Sequence, residues 1–172
     1  MARPQPNESA AFYHKYINLV KGDSVREIVE EYAFELQEFY NSLPDAKADF
    51  AYAENKWTVK QVLQHITDAE KIFVYRALRI CRGDVTPLAS FDENLYVENG
   101  FAKERALSSL KQEFNSVRAA TDIFLLSLNE EQIKRSGTAS NNAVTVNALA
   151  FIIYGHLLHH KNIFTERYNV GK

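Results

Sequence analysis

The run Trp57-Thr58-Val59-Lys60-Gln61-Val62-Leu63-Gln64-His65-Ile66-Thr67-Asp68-Ala69-Glu70-Lys71-Ile72-Phe73-Val74-Tyr75-Arg76-Ala77-Leu78-Arg79-Ile80-Cys81-Arg82-Gly83 decides the fold. Thr58 and Gln61 stand at capping-box spacing, where two side chains satisfy free backbone N–H groups at a helix start. Trp57 and Val62 fit a hydrophobic staple across that cap. Val62, Ile66, Ala69, Phe73 and Ile80 then recur at helical intervals and make one apolar stripe. Gly83 is placed to stop the helix, since glycine accepts the left-handed backbone of a C-terminal cap. A helix with one apolar stripe needs partners to bury it.

The partners are legible on both sides. Upstream, Ser24 and Glu27 again have capping-box spacing. Val25, Ile28, Val29, Tyr32, Leu36, Phe39, Tyr40 and Leu43 follow on one face, and Pro44 ends a helix over about 24–43. Downstream, Leu107, Leu110, Phe114, Val117, Thr121, Phe124, Leu125 and Leu128 predict a third helix over about 103–128. Asn129 and Gln132 cap a further short turn. Residues 136–143 are expected to be a polar loop. Thr145 then caps a fourth helix that runs to about Tyr168.

Residues 84–101 hold Pro87, Gly100 and the acidic, aromatic run Phe91-Asp92-Glu93-Asn94-Leu95-Tyr96. They are expected to form a long loop. Antiparallel neighbours need only about two to eight connecting residues, so this length predicts a crossover between the second and third helices. The expected fold is all-α: a four-helix bundle with that crossover. The segment before Ser24 holds Phe12, Tyr13, Tyr16, Ile17, Leu19 and Val20, too apolar for a free tail, and is expected to pack on the bundle.

The chain has 172 residues, suited to one domain over 1–172, and 46% of them are apolar, enough for a full core. A formal net charge of -2 argues against general nucleic-acid binding, which needs a basic surface. One cysteine forms no internal disulfide, no secretory leader is visible, and no apolar run is long enough to span a membrane. These features predict a cytoplasmic protein with no nucleic-acid or membrane partner.

The chemistry concentrates in the histidines. A helix turns by about 100° per residue, which places His156 and His160 on one inward face, one turn apart, with His159 at its edge. His65 also points inward on the second helix. His14 cannot be placed. Three neutral imidazoles suit Zn, Ni, Cu or Fe. A pair four residues apart on one helix plus a third histidine on another leaves a coordination position open. The alternative is that each is a hydrogen-bonded core histidine, and the pattern alone leaves both readings open. The acidic residue of a zinc-protease HExxH motif is missing from the 156–160 run, and no nucleophile elbow, P-loop or dinucleotide fingerprint occurs. Cys81 is expected to be a buried structural thiol. Arg76 is expected to form a buried ion pair, with Glu35, Glu70 and Glu113 as candidate partners. Asp92, Glu93 and Tyr96 belong either to a pocket mouth or to a solvated loop.

The run from Trp57 to His65, with Asp68-Ala69-Glu70 and Tyr75-Arg76-Ala77-Leu78-Arg79 after it, resembles the DinB superfamily. So do Gly155-His156-Leu157-Leu158-His159-His160, the crossover Pro87 to Asn94, and Glu113-Phe114-Asn115-Ser116-Val117-Arg118. The likeness covers about residues 12–168. It implies a four-helix bundle with a divalent metal, Zn or Ni, on His65, His156 and His160, and it sets His159 aside. Members include bacillithiol S-transferases, mycothiol-dependent isomerases and metal-dependent hydrolases, often as homodimers. The function implied is a metal-dependent transferase moving a bacillithiol-like, low-molecular-weight thiol onto an electrophilic acceptor. A metal-dependent hydrolase and a non-enzymatic, stress-induced metal-binding bundle are the alternatives. No catalytic or thiol-binding residue is assigned. Leu157 departs from the acidic residue frequent at that position, which puts proton transfer there in doubt.

Overall fold

The computed structural model describes residues 2–171. A short helix α1 (His14–Ile17) precedes α2 (Val25–Asn41) and α3 (Val59–Cys81). The crossover carries α4 (Glu93–Asn99), and α5 (Leu107–Leu126) and α6 (Glu130–Lys134) follow. The strands β1 (Ser136–Ala139) and β2 (Asn142–Thr145) lead into α7 (Val146–Arg167). The bundle is α2, α3, α5 and α7, and one core cluster joins Val25, Leu36, Leu63, Phe114, Ile153 and Phe164.

The caps work as the spacing predicts. Thr58 and Gln61 make a full capping box on α3, as Asn129 and Gln132 do on α6, and the Thr145 side chain accepts from Ala148 N–H on α7. Ser24 caps α2 by accepting from Glu27 N–H, but the Glu27 carboxylate reaches one residue further, to Asp23 N–H. Gly83, at φ +82°, ends α3 in the left-handed region.

Three expectations need correction. Residues 136–143 are not a loop: β1 and β2 pair antiparallel, from Ser136 with Thr145 to Ala139 with Asn142. Their turn residues, Ser140 and Asn141, have φ of 51° and 61°, the paired positive values of a type I′ hairpin. The crossover is not all loop either. Asp92 caps α4, its carboxylate accepting from Asn94 and Leu95 N–H. The third bundle helix also starts later than expected, at Leu107, after a 3-10 turn over Ala102–Glu104.

The N-terminal segment packs as expected, and it explains why α7 carries no solvent face over half its length. Every residue from Val146 to Leu157 is buried. Such a helix must be enclosed on all sides. Helices α2 and α3 cover two of them and α1 a third, with Tyr16 packed on Gly155 and His156 and with Ile17 and Val20 buried in the core. The contact is close at Gly155, where any Cβ would lie 2.2 Å from the Tyr16 carbonyl oxygen. No helix among the described residues is long and apolar enough to cross a membrane.

Candidate metal centre

The enclosure of α7 sets the site. His156 and His160 stand one turn apart on it and face α3, where His65 is the matching inward residue. All three are buried, and their candidate ligand atoms lie within 4.8 Å of one another. The Nε2 of His156 is 3.2 Å from that of His65 and 3.1 Å from that of His160. His159 stays outside this group. It is half-buried, and its ring packs edge-on against Tyr16 and His160. His14 is remote, its Nε2 3.0 Å from the Pro6 carbonyl.

Three imidazoles this close test the fit of a metal. A neutral imidazole nitrogen has one lone pair or one hydrogen. His156 Nε2 therefore serves one facing nitrogen well, not two. A shared cation takes all three lone pairs at once. Nitrogens about 2.1 Å from one ion stand about 3.0 Å apart at right angles and about 3.4 Å apart at the tetrahedral angle. The two observed separations lie between those values.

Electrostatics agree. Burial lowers the His65 pKa to about 4, with a smaller push from His159. Burial, together with the neighbouring histidines and Lys15, holds His156 and His160 well below the ordinary histidine range. All three rings are thus neutral at pH 7, the state that ligation requires. Among the described residues no carboxylate hydrogen-bonds any of these rings, and His160 Nδ1 is buried without a partner. The rings are oriented by aromatic packing. Trp57 lies 4.9 Å from His65, and Tyr16 and Phe73 lie 5.4 and 5.9 Å from His156.

Two openings reach the histidines. A pocket of about 290 Å³ ends on His160 between Trp57, Tyr52, Lys56, Asn55 and Asn94. A smaller recess of about 70 Å³ ends on His65 and His156, walled by Tyr13, Tyr16, Phe73 and Phe91 with Glu93 at its rim. Sequence reasoning left the role of Glu93 open and missed Asn94, Trp57 and Lys56 as lining residues. No helical periodicity could have found them, because they come from the loop before α3 and the first turn of α4. Asp92 serves as a cap, and Tyr96 lines a different cleft.

The remaining candidates divide. Cys81 is buried and free, its thiol donates to the Leu78 carbonyl, and burial raises its pKa. Among the described residues the expected Arg76 ion pair does not form. Glu70 pairs instead with Arg118 at 2.9 Å, Glu113 with Arg105 and Lys71, and Glu35 with Lys161. Arg118 takes the buried stripe position between Phe114 and Thr121, where the apolar pattern points to Val117, which is only half-buried.

A model of the DinB superfamily matches residues 33–164. No curated protein sequence is significantly similar to the chain. Among solved structures, YfiT from Bacillus subtilis superposes with a TM-score of 0.72 at 20% identity, covering 96% of this chain and 91% of YfiT. That protein is described as "a probable metal-dependent hydrolase with an unusual four-helix bundle topology". A mycothiol-dependent maleylpyruvate isomerase superposes with a TM-score of 0.65 at 11% identity, over 87% of this chain and 59% of the isomerase. At these identities the likeness is one of fold.

Proposed function

The chain belongs to the DinB superfamily, and from its buried histidine cluster we propose a metal-dependent transferase that moves a low-molecular-weight thiol onto an electrophilic acceptor. His65, His156 and His160 would hold the divalent metal, Zn or Ni. When bound, the metal supplies Lewis acidity that brings a thiol pKa down from about 8.5 towards neutrality. The neutral ligand set leaves that acidity undiminished by carboxylate charge.

The observation that carries the transferase reading is the pair of openings with separate linings on one histidine cluster, one ending on His160 and the other on His65 and His156. A transfer between two molecules needs two places to bind. Lys56 and the amides of Asn55 and Asn94 suit a polar, anionic, bacillithiol-like thiol on the His160 side. The aromatic walls on the His65–His156 side suit an apolar acceptor and exclude water from it. Trp57 and Tyr16 hold the rings between the two. The purified protein, incubated with a panel of small thiols and an electrophilic acceptor, should form a thioether only when both are present.

A hydrolase is the second reading, favoured by the likeness to YfiT and its description. It predicts turnover of an ester or amide with no thiol added. Failure of both assays with a metal-loaded protein would leave a binding protein.

A further inference from the structure

Arg76 is buried to 2% exposure, yet among the described residues no carboxylate lies within ion-pair distance of it. Its Nη2 donates to the Ala89 carbonyl at 2.8 Å and to Ser140 Oγ at 3.0 Å. A guanidinium has five N–H donors. Nη1 and Nε have no acceptor among the described residues, and neither is sealed from solvent, so both remain open to a ligand. The other buried arginine, Arg118, is ion-paired with Glu70 and Asp122. A buried charge is ordinarily paired, because an uncompensated one is costly.

Arg76 lines a cleft of about 420 Å³ between α3 and the crossover. The cleft's other walls include Phe91, Tyr96, Tyr75, Ile72 and Leu88. Phe91 packs against Tyr96 at 5.3 Å, and the Arg76 guanidinium sits 5.9 Å from the Phe91 ring. Arg79, the second cation there, is already occupied by Asp84 and the Tyr75 hydroxyl. The cleft is therefore apolar and aromatic, with one unneutralised donor fork in its wall. Planar forks of this kind recognise carboxylates. The hydrogen bonds to Ala89 and Ser140 fix the fork in place, since the crossover and hairpin are themselves tied by Leu88 N–H to Thr138 and Ser140 N–H to Leu88.

We propose that this cleft binds an organic carboxylate, whose oxygens take the unused N–H groups of Arg76 while its apolar body lies against Phe91 and Tyr96. The site is separate from the histidine cluster, although Phe91 borders both recesses. It does not depend on the metal or on the thiol reaction.

The test is titration of the ¹⁵N-labelled full-length chain with 3-phenylpropionate, its neutral isostere 3-phenylpropan-1-ol, and inorganic phosphate. The acid should shift the amides of Ala89, Phe91, Tyr96 and Ser140 and the Arg76 Nε–H. The alcohol and phosphate should each bind at least about tenfold more weakly. Arg76→Gln should lose about tenfold in acid affinity, with thermal melting to show that it folds. Phe91→Ala, which leaves both Arg76 hydrogen bonds intact, should weaken the acid as well. Equal binding of acid and alcohol would overturn the proposal. So would phosphate binding as tight as the acid, shifts confined to residues around His65, His156 and His160, or no shifts at all.

Discussion

A Cβ at position 155 would lie 2.2 Å from the backbone oxygen of Tyr16, so the N-terminal helix crosses α7 in backbone contact one residue before His156. The same Tyr16 ring rests edge-on against His156 at 5.4 Å. The segment before Ser24 thus closes the buried side of α7 and packs one of the three histidine rings.

Gly155→Ala should therefore strike twice. Overpacking typically costs about 1–3 kcal/mol, and a clash with backbone belongs at the upper end. Tyr16 must also move away from His156, so zinc affinity should fall along with melting temperature. Calorimetric melting and zinc titration of the variant check both effects. A variant that melts and binds zinc like the wild type would mean that α1 does not support the site.

Acid should weaken the metal-stripped protein over a defined window. His65 has a folded pKa of about 4, against about 6.5 in the unfolded chain. Between those values the unfolded state binds more protons. Stability from this group is complete above about pH 6.5 and falls as the pH drops, by about 1.4 kcal/mol per unit from His65 alone. His156 and His160 shift in the same direction. Urea unfolding at pH 7.5 and pH 5 should show the loss. Metal should be retained at pH 6 and released as the pH approaches 4.

The buried ion pair gives a third expectation. Burial opposes the charge on Arg118, but Glu70, Tyr154 and Asp122 more than offset this and hold it charged. Arg118→Met strands Glu70 in the core and should cost about 3–5 kcal/mol. Adding Glu70→Met should recover most of the loss. A double variant no more stable than the single one, by chemical denaturation, would contradict that pairing.

The bundle and the three inward histidines were legible because helix periodicity places side chains by angle alone. His65, His156 and His160 needed only the 3.6-residue turn to be put on facing stripes. What escaped depends on local backbone detail or on partners distant in sequence. The hairpin turns on Ser140-Asn141 rather than a glycine pair, so its type I′ geometry left little sequence signal. The α4 helix is only seven residues long, and its one marker is the Asp92 cap. Arg76 lies on the inward side of α3, as angle predicts. Its partners are a carbonyl and a serine from loops, not the expected carboxylate.

The central claim is that three side chains share one metal, and metal content tests it most directly. The full-length protein, expressed without added metal and purified, should carry close to one divalent ion per chain. His65→Ala, His156→Ala and His160→Ala should each lose that ion while circular dichroism still reports a helical protein, because the apolar stripes run the length of the bundle and the histidines occupy one level of it. A folded variant that keeps its metal would contradict the account.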